Sequence, residues 1–143
     1  MGATSREEIE SALPAWREAA ARADVEEETS RSLASVPPGA EVIVYLGTWC
    51  GDSRREIARL FRALELVPEP YPFTVSWIGV DRAKTAPGHT EGADVRFVPT
   101  IVVRRDGAEV GRIVESAPRG VERELLDLLT GATQGVISAR TDL

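Results

Sequence analysis

The feature that most constrains the fold is a short apolar run that leads directly into a turn and a helix. Residues 41–47, EVIVYLG, are rich in β-branched side chains and carry a charge only at the first position. Such a run is typical of a strand covered on both faces, because a strand with one face in water alternates polar and apolar residues. The run therefore predicts an α/β fold in which helices cover both faces of a sheet.

The segment after this strand predicts an amphipathic helix. Residues 48–53 form a tight connection, and residues 51–66 then place apolar side chains at helical spacing. The members of this apolar stripe are Ile57, Leu60, Phe61 and Leu64. A closely spaced set of prolines ends the helix, namely Pro68, Pro70 and Pro72.

The following residues predict three more strands and a closing helix. We expect the strands over residues 73–80, 100–104 and 109–114, with a polar loop or an irregular short helix over residues 82–94 before the second of them. The Asp106-Gly107 pair is a strong hairpin signal, and a final helix begins at Pro118 and ends at Gly131. Together these elements form a central mixed four-stranded sheet flanked by helices.

Two segments flank this core, which covers residues 40–131, within a single domain. Residues 5–35 have helical spacing, and Pro14 ends or kinks the first helical piece. We expect residues 1–39 to form a helical N-terminal extension without a strand. Residues 132–143 carry too little pattern to place, and we expect a loose tail.

Composition narrows the classes of partner. The chain has 143 residues and a formal net charge of −6, which disfavours nucleic acid and anionic membranes as partners. No apolar run approaches the ~20 residues of a membrane span, and the N-terminus lacks the apolar stretch of a signal peptide. We therefore expect a cytoplasmic protein, monomeric by default. The single cysteine excludes an internal disulfide.

Two short motifs carry a resemblance to a known family. Trp49-Cys50-Gly51-Asp52-Ser53, after an apolar strand and before an amphipathic helix, resembles the active-site turn of thioredoxin. Val98-Pro99-Thr100, at the start of a later strand, resembles the cis-proline site of that family. The hairpin and the final helix follow in the family's order. The resemblance covers about residues 40–131 and implies a thioredoxin-like fold with thiol–disulfide chemistry.

Cys50 is the candidate nucleophile. A cysteine at the first turn of a helix faces unpaired backbone N–H groups and the positive end of the helix dipole. Both favour the thiolate, which is the species that attacks a disulfide. Trp49 would shield one side of the sulfur and, with Gly51 and Asp52, offer a surface to a substrate. The alternative is a buried structural cysteine without reactivity.

Pro99 is the second candidate element of the site. The resemblance implies that the Val98–Pro99 bond is cis and lies beside Cys50. It also implies that the backbone of Val98 is free to pair with an extended substrate chain. The alternative is that Pro99 only begins an edge strand.

Four positions depart from the family's pattern, and three of them concern resolution and the substrate groove. The resolving cysteine is replaced by Ser53, whose hydroxyl cannot resolve a mixed disulfide but can donate a hydrogen bond to the Cys50 thiolate. The family has a buried acid that helps to move protons during resolution of the mixed disulfide. Here Val44 stands at that position, so the acid is absent together with the resolving cysteine. Glu115 stands where the family has a glycine beside the substrate groove, and this puts the usual protein-substrate surface in doubt.

Charged residues near the turn modulate this chemistry. Asp52 replaces a proline of the motif; its carboxylate suits a helix N-terminus but repels a thiolate. Arg54 or Arg55, one turn on, is placed to offset that charge.

The single histidine, His89, is a candidate base, although a surface-loop role is the simpler interpretation. One cysteine and one histidine cannot make a zinc site, so we expect no metal.

Two functions are compatible with these residues. In the first, a monothiol exchanger, Cys50 forms a mixed disulfide with a protein or a small-thiol adduct. An external low-molecular-weight thiol such as glutathione then releases it as a co-substrate, with no bound cofactor. In the second, a redox-inactive thioredoxin-like module holds a peptide or partner in the groove around Trp49 and Val98. A sensor role for Cys50 is a third interpretation.

Overall fold

A strand at the centre of the sheet organises the computed structural model, which describes residues 2–143. This strand, β2 (Ala40–Leu46), pairs in parallel with β3 (Phe73–Gly79) and antiparallel with β4 (Thr100–Arg105). The next strand, β5 (Ala108–Val114), pairs antiparallel with β4 across the hairpin. The mixed sheet and its four core strands, with a hairpin joining the last two, are as the sequence predicts.

Two further strands extend the sheet at its edges. The N-terminal β1 (Gly2–Thr4) pairs antiparallel with β3, and the C-terminal β6 (Gly135–Ile137) pairs in parallel with β5. The sheet has six strands in the order β1-β3-β2-β4-β5-β6. The predictions of a strand-free N-terminal extension and a loose tail were therefore wrong, and the predicted four-stranded sheet is the central part of a six-stranded one. Segments of three residues are too short to show a period, and distant parts of the chain fix their pairing.

Helices precede, interrupt and close the sheet. They are α1 (Arg6–Ala12), α2 (Pro14–Arg22), α3 (Glu27–Ser32), α4 (Gly51–Leu64) and α5 (Val121–Thr130), with a 3₁₀ turn at Leu33–Ser35. Ser5 caps α1 by accepting the N–H of Glu8 at 3.1 Å, and Pro14 starts α2. A second break, between α2 and α3, was not predicted. No helix in the described part of the chain has both the length and the apolar character of a membrane crossing.

The two faces of the sheet are covered differently. Val42, Val44 and Leu46 of β2 belong to a large apolar core with residues of α1, α2, α4 and α5. The alternate residue Tyr45 belongs to a smaller cluster on the other face. Residues 81–98, which cover that face, contain turns but no helix. The sequence predicted helices on both faces; the second layer is instead an irregular segment, fastened to the sheet by hydrogen bonds and apolar contacts.

A buried ion pair ties the helical layer together. The Glu122 carboxylate of α5 is 1% exposed and accepts from Arg59 of α4 at 2.9 Å through both oxygens, and from the N–H of Glu26 at 2.8 Å. Burial alone would raise the pKa of Glu122, but these hydrogen bonds outweigh it and lower the pKa. Gly120 makes room for the pair, since a Cβ there would lie 2.7 Å from the Arg59 guanidinium.

Candidate functional site

The Cys50 thiol lies in the turn that connects β2 to α4. Cys50 is the N-cap residue of α4, with extended backbone angles, and its N–H donates to the carbonyl of Gly47 at 3.0 Å to close the turn. The Cys50 carbonyl then accepts from the N–H of Arg54 at 3.0 Å, which is the first bond of the helix. The thiol is partly buried and is the free cysteine of the chain. It therefore lies at the end of α4 where backbone N–H groups lack helical partners.

The loop before β4 brings the second candidate element to the thiol. The Val98–Pro99 peptide bond is cis, and the Cys50 Sγ lies 3.7 Å from the Val98 carbonyl oxygen, to which the thiol donates. The Thr100 hydroxyl donates to the carbonyl of Phe97 at 2.7 Å, and the N–H of Glu115 donates to that of Pro99 at 2.8 Å. These bonds fix the loop to the start of β4 and to the residue after β5. Residues far apart in sequence thus meet at one sulfur.

Ser53 has a different partner from the one predicted. Its side chain is fully buried, and its Oγ accepts the N–H of Gly47 at 3.1 Å. Within residues 2–143 no hydrogen bond joins Ser53 to Cys50. The prediction of a hydrogen bond from Ser53 to the Cys50 thiolate was therefore wrong. The Ser53 hydroxyl instead stabilises the active-site turn, because the buried N–H of Gly47 needs a partner.

The charged residues of the turn divide into a pair and a free cation. Arg55 lies 2.9 Å from Asp52, and each side chain is about half exposed. Arg54 is exposed and has no carboxylate partner in the described residues. Arg55, rather than Arg54, offsets the charge of Asp52. An ion pair this exposed contributes little to stability.

Trp49 is fixed on one side of the thiol. Its Nε1 donates to the carbonyl of Val80 at 3.2 Å. Its ring lies against Gly47, where a Cβ would be 2.7 Å from the nearest ring carbon, so only glycine fits there. The cations of Arg82 and Lys84 lie 5.1 Å and 5.6 Å from the ring centroid. Sequence reasoning missed both cations.

A signal for these cations was present in the sequence. Arg82 and Lys84 directly follow β3, and Trp49 follows β2. Because β2 and β3 are parallel, the residues after them meet at the same edge of the sheet. Charged residues just after a parallel neighbour of the active-site strand are therefore candidates for the rim of the site.

Glu115 and the C-terminal segment flank the cis-proline loop. Glu115 has a φ of 67°, in the left-handed region that favours glycine, and its carboxylate lies 3.1 Å from Arg140. The Arg140 guanidinium also stacks 4.1 Å from the ring centroid of Phe97. The segment predicted to be a loose tail thus places Arg140 against Glu115 and against Phe97, the residue before Val98. His89, by contrast, lies exposed in its loop beside β1, near Gly2.

Comparison with known proteins identifies the fold. No family model matches the chain. Mitochondrial thioredoxin-3 of Saccharomyces cerevisiae is 26% identical over 87 residues, which are 61% of this chain and 64% of that protein, so the match spans less than two thirds of the relative.

Solved structures extend the likeness over most of the chain. A Pseudomonas aeruginosa protein of unknown function superposes with a TM-score of 0.60 and 17% identity, covering 92% of this chain and 89% of that one. Trxlp from Edwardsiella tarda gives a TM-score of 0.51 and 19% identity, covering 76% and 96%. The chain therefore has a thioredoxin-like fold, as its motifs predict.

Proposed function

We propose that the chain is a monothiol thiol–disulfide exchange protein that works through Cys50. The observation that carries the proposal is the position of the Cys50 sulfur, at the N-terminus of α4 and 3.7 Å from the Val98 carbonyl. A helix N-terminus favours an anion at that position. The neighbouring loop presents backbone groups with which a substrate chain can pair.

The reaction consists of two balanced exchanges. The Cys50 thiolate attacks one sulfur of a protein–S–S–R disulfide, forms Cys50–S–S–R and releases the protein thiolate. A second small thiolate, R–S⁻, then attacks the R sulfur of this mixed disulfide. That step forms R–S–S–R and regenerates the Cys50 thiolate. The net reaction removes one R group from the protein at the expense of one external thiol, with glutathione as the candidate for R–SH.

The external thiol is needed because the chain holds no resolving group of its own. Ser53 occupies the position of a resolving cysteine, and its hydroxyl is engaged with Gly47. Val44, on the strand below, is fully buried and cannot carry a proton. Neither residue can break the mixed disulfide, so turnover stops at Cys50–S–S–R until a small thiol arrives.

The test uses a peptide–glutathione mixed disulfide with and without added glutathione. Since Cys50 is the only cysteine, any mixed disulfide seen by mass spectrometry lies at Cys50. We expect a glutathione adduct on the wild type, its discharge when glutathione is added, and peptide release faster than the uncatalysed exchange. Cys50→Ser should release no peptide above background. If the wild-type protein is folded but forms no glutathione adduct, the proposal of monothiol exchange is wrong.

A second candidate, a binding module without turnover, is favoured by one contact. The Cys50 thiol donates to the Val98 carbonyl, which is a group that a substrate chain would use. This contact partly satisfies the site without a substrate. If Cys50 resists alkylation at neutral pH while peptides still bind to the groove, the module interpretation replaces the exchanger.

A further inference from the structure

The rim of the candidate site carries positive charge in a chain that is negative overall. Arg82 and Lys84 lie over the ring of Trp49, the residue before Cys50. Neither cation forms a salt bridge within the described residues. Arg54, one turn into α4, is also exposed and unpaired there. The chain as a whole has a formal charge of −6, so this concentration of unpaired cations is local.

The loop that carries the cations is closed on itself. The Asp81 carboxylate accepts from the N–H and the hydroxyl of Thr85 at 3.0 Å and 2.9 Å, and the N–H of Asp81 donates to the Thr85 carbonyl at 3.0 Å. Lys84 has a φ of 61° and donates its N–H to the carbonyl of Asp81 at 2.9 Å. These bonds direct the one nearby carboxylate of the loop into the turn. The Arg82 and Lys84 cations remain available on the outside.

We infer that the Trp49 rim selects substrates in which carboxylates flank the reacting sulfur, namely short acidic peptide segments. This inference rests on the proposed function for its chemistry, but binding alone also tests it. The Trp49 ring offers an apolar surface beside the sulfur, and the two cations can pair with acidic side chains next to a substrate cysteine. The occupant is a segment rather than a whole acidic protein, because a charge of −6 repels the latter at long range. At physiological salt the Debye length is ~8 Å, so distant negative charges of the chain are screened. A short acidic segment at the rim therefore interacts mainly with the nearby cations.

The first experiment compares two peptides that differ only in charge. Each carries one cysteine capped by mercaptoethanol, flanked by glutamates in one peptide and by lysines in the other. The measurement is the rate of adduct formation at Cys50 in wild type and in an Arg82→Gln/Lys84→Gln double variant. The ratio of the two proteins for each peptide cancels the intrinsic reactivity of that peptide. We expect the double variant to be slower with the acidic peptide by about tenfold at low salt, and unchanged or faster with the basic one.

Two controls separate charge from structure. Arg17→Gln removes an exposed cation on α2, which packs on the helical face of the sheet, and should change neither rate. Lys84 is the only lysine of the chain, so acetylation of the wild type neutralises that side chain together with only the α-amino group. Acetylation should reproduce part of the loss with the acidic peptide while the melting temperature of the protein stays the same.

The second experiment measures peptide binding without thiol–disulfide exchange. Cys50→Ala is titrated with dye-labelled versions of the two peptides in which serine replaces cysteine, and fluorescence anisotropy reports binding. Tighter binding of the acidic peptide that weakens with salt supports the inference even if Cys50 proves unreactive. Equal binding of the two peptides, or equal rates with both in an active protein, would overturn it and leave monothiol exchange standing.

Discussion

The two faces of the sheet are built on different principles. On the helical face, side chains from four helices close over β2, and the Arg59–Glu122 pair links α4 to α5. On the opposite face, a smaller cluster around Tyr45 and Val98 lies under residues 81–98. Trp49 and Cys50 pack against the margin of that smaller cluster and remain partly exposed.

The difference separates stability from reactivity. Regular helices bury large apolar areas, and most of the folding free energy arises on that face. An irregular segment buries less, but its loops leave backbone groups, cations and a thiol within reach of a substrate. Substitutions on the helical face should therefore change unfolding, and substitutions on the other face should change the chemistry of Cys50.

Two neighbouring valines of β4 test this separation directly. Val103 faces the helical core and Val102 the smaller cluster, and both are buried. Val103→Ala should lower the free energy of unfolding by about 2.5 kcal/mol, because the packed helices cannot collapse into the cavity. Val102→Ala should cost about 1 kcal/mol, since the irregular segment can settle. Urea denaturation measures both losses.

The same two variants differ in the rate of Cys50 alkylation. Val102→Ala loosens the cluster against which Cys50 packs, and should alter that rate. Val103→Ala should leave it at the wild-type value while the protein is folded. Equal losses of stability together with equal alkylation rates would break the comparison between the faces.

The buried ion pair gives the helical face a pH signature. Glu122→Gln should lower the free energy of unfolding by about 2 kcal/mol at neutral pH, less than for a fully buried pair because Arg59 is 35% exposed. The pKa of Glu122 is lowered in the folded protein, so its contribution is complete well above the ordinary carboxyl pKa of ~4.3 and is lost as the pH falls through the folded value. Denaturation at pH ~7 and ~3 should therefore show the difference between the two proteins shrinking in acid.

An exposed glutamate provides the matched control. Glu27 pairs with Arg31 on α3, and both side chains are about three-fifths exposed (61% and 59%). Glu27→Gln should change stability by less than ~0.5 kcal/mol at either pH. A similar loss in both variants would mean that Glu122 acts as an ordinary surface charge.

Ser53 joins α4 to the active-site turn through its bond to Gly47. Ser53→Ala leaves the N–H of Gly47 buried without a partner and should cost about 1.5 kcal/mol. The exposed Ser32 is the control, and Ser32→Ala should be close to neutral. Ser53→Ala should also slow mixed-disulfide formation, because the loosened turn no longer fixes the sulfur. Retention of wild-type stability would show that water replaces the hydroxyl without loss.

Glu115 gives the smallest expected effect. Glu115→Gly loses the ion pair with Arg140 but relieves a left-handed backbone, so the two terms should cancel to within ~0.5 kcal/mol. Glu115→Ala loses the pair and keeps the strain, and should be less stable than the glycine variant by about 1 kcal/mol. Thermal unfolding compares the two. An alanine variant as stable as the glycine variant would show that position 115 carries no strain.

The parts of the fold that the sequence predicts are those with a strong local pattern. The run before Trp49 is a continuous stretch of apolar, β-branched residues, α4 carries an apolar stripe at helical spacing, and both are followed by turn residues. The pairing of Cys50 with Val98 was implied by the family resemblance, and the two residues lie together in the structure. Local sequence patterns and the order of the motifs were therefore enough to predict most of the core elements.

The missed features depend on contacts between distant segments. The strands β1 and β6 are set by pairing across the sheet, and each is too short to show a period in the sequence. Ser53 was assigned to Cys50 because a motif gives spacing but no rotamer, and the structure points its hydroxyl at Gly47. Side-chain direction is decided by packing, which a sequence pattern does not encode.

The close approach of Trp49 to Gly47 has a consequence for how sequences of this kind can diverge. A Cβ at position 47 would collide with the indole ring, so the two positions are not free to change independently. A lineage that replaces Gly47 must first shrink or lose Trp49, and would lose with it the ring over which Arg82 and Lys84 lie. Covariation between positions 47 and 49, with loss of the two basic residues following loss of the tryptophan, is the evolutionary record that this contact should leave among homologues.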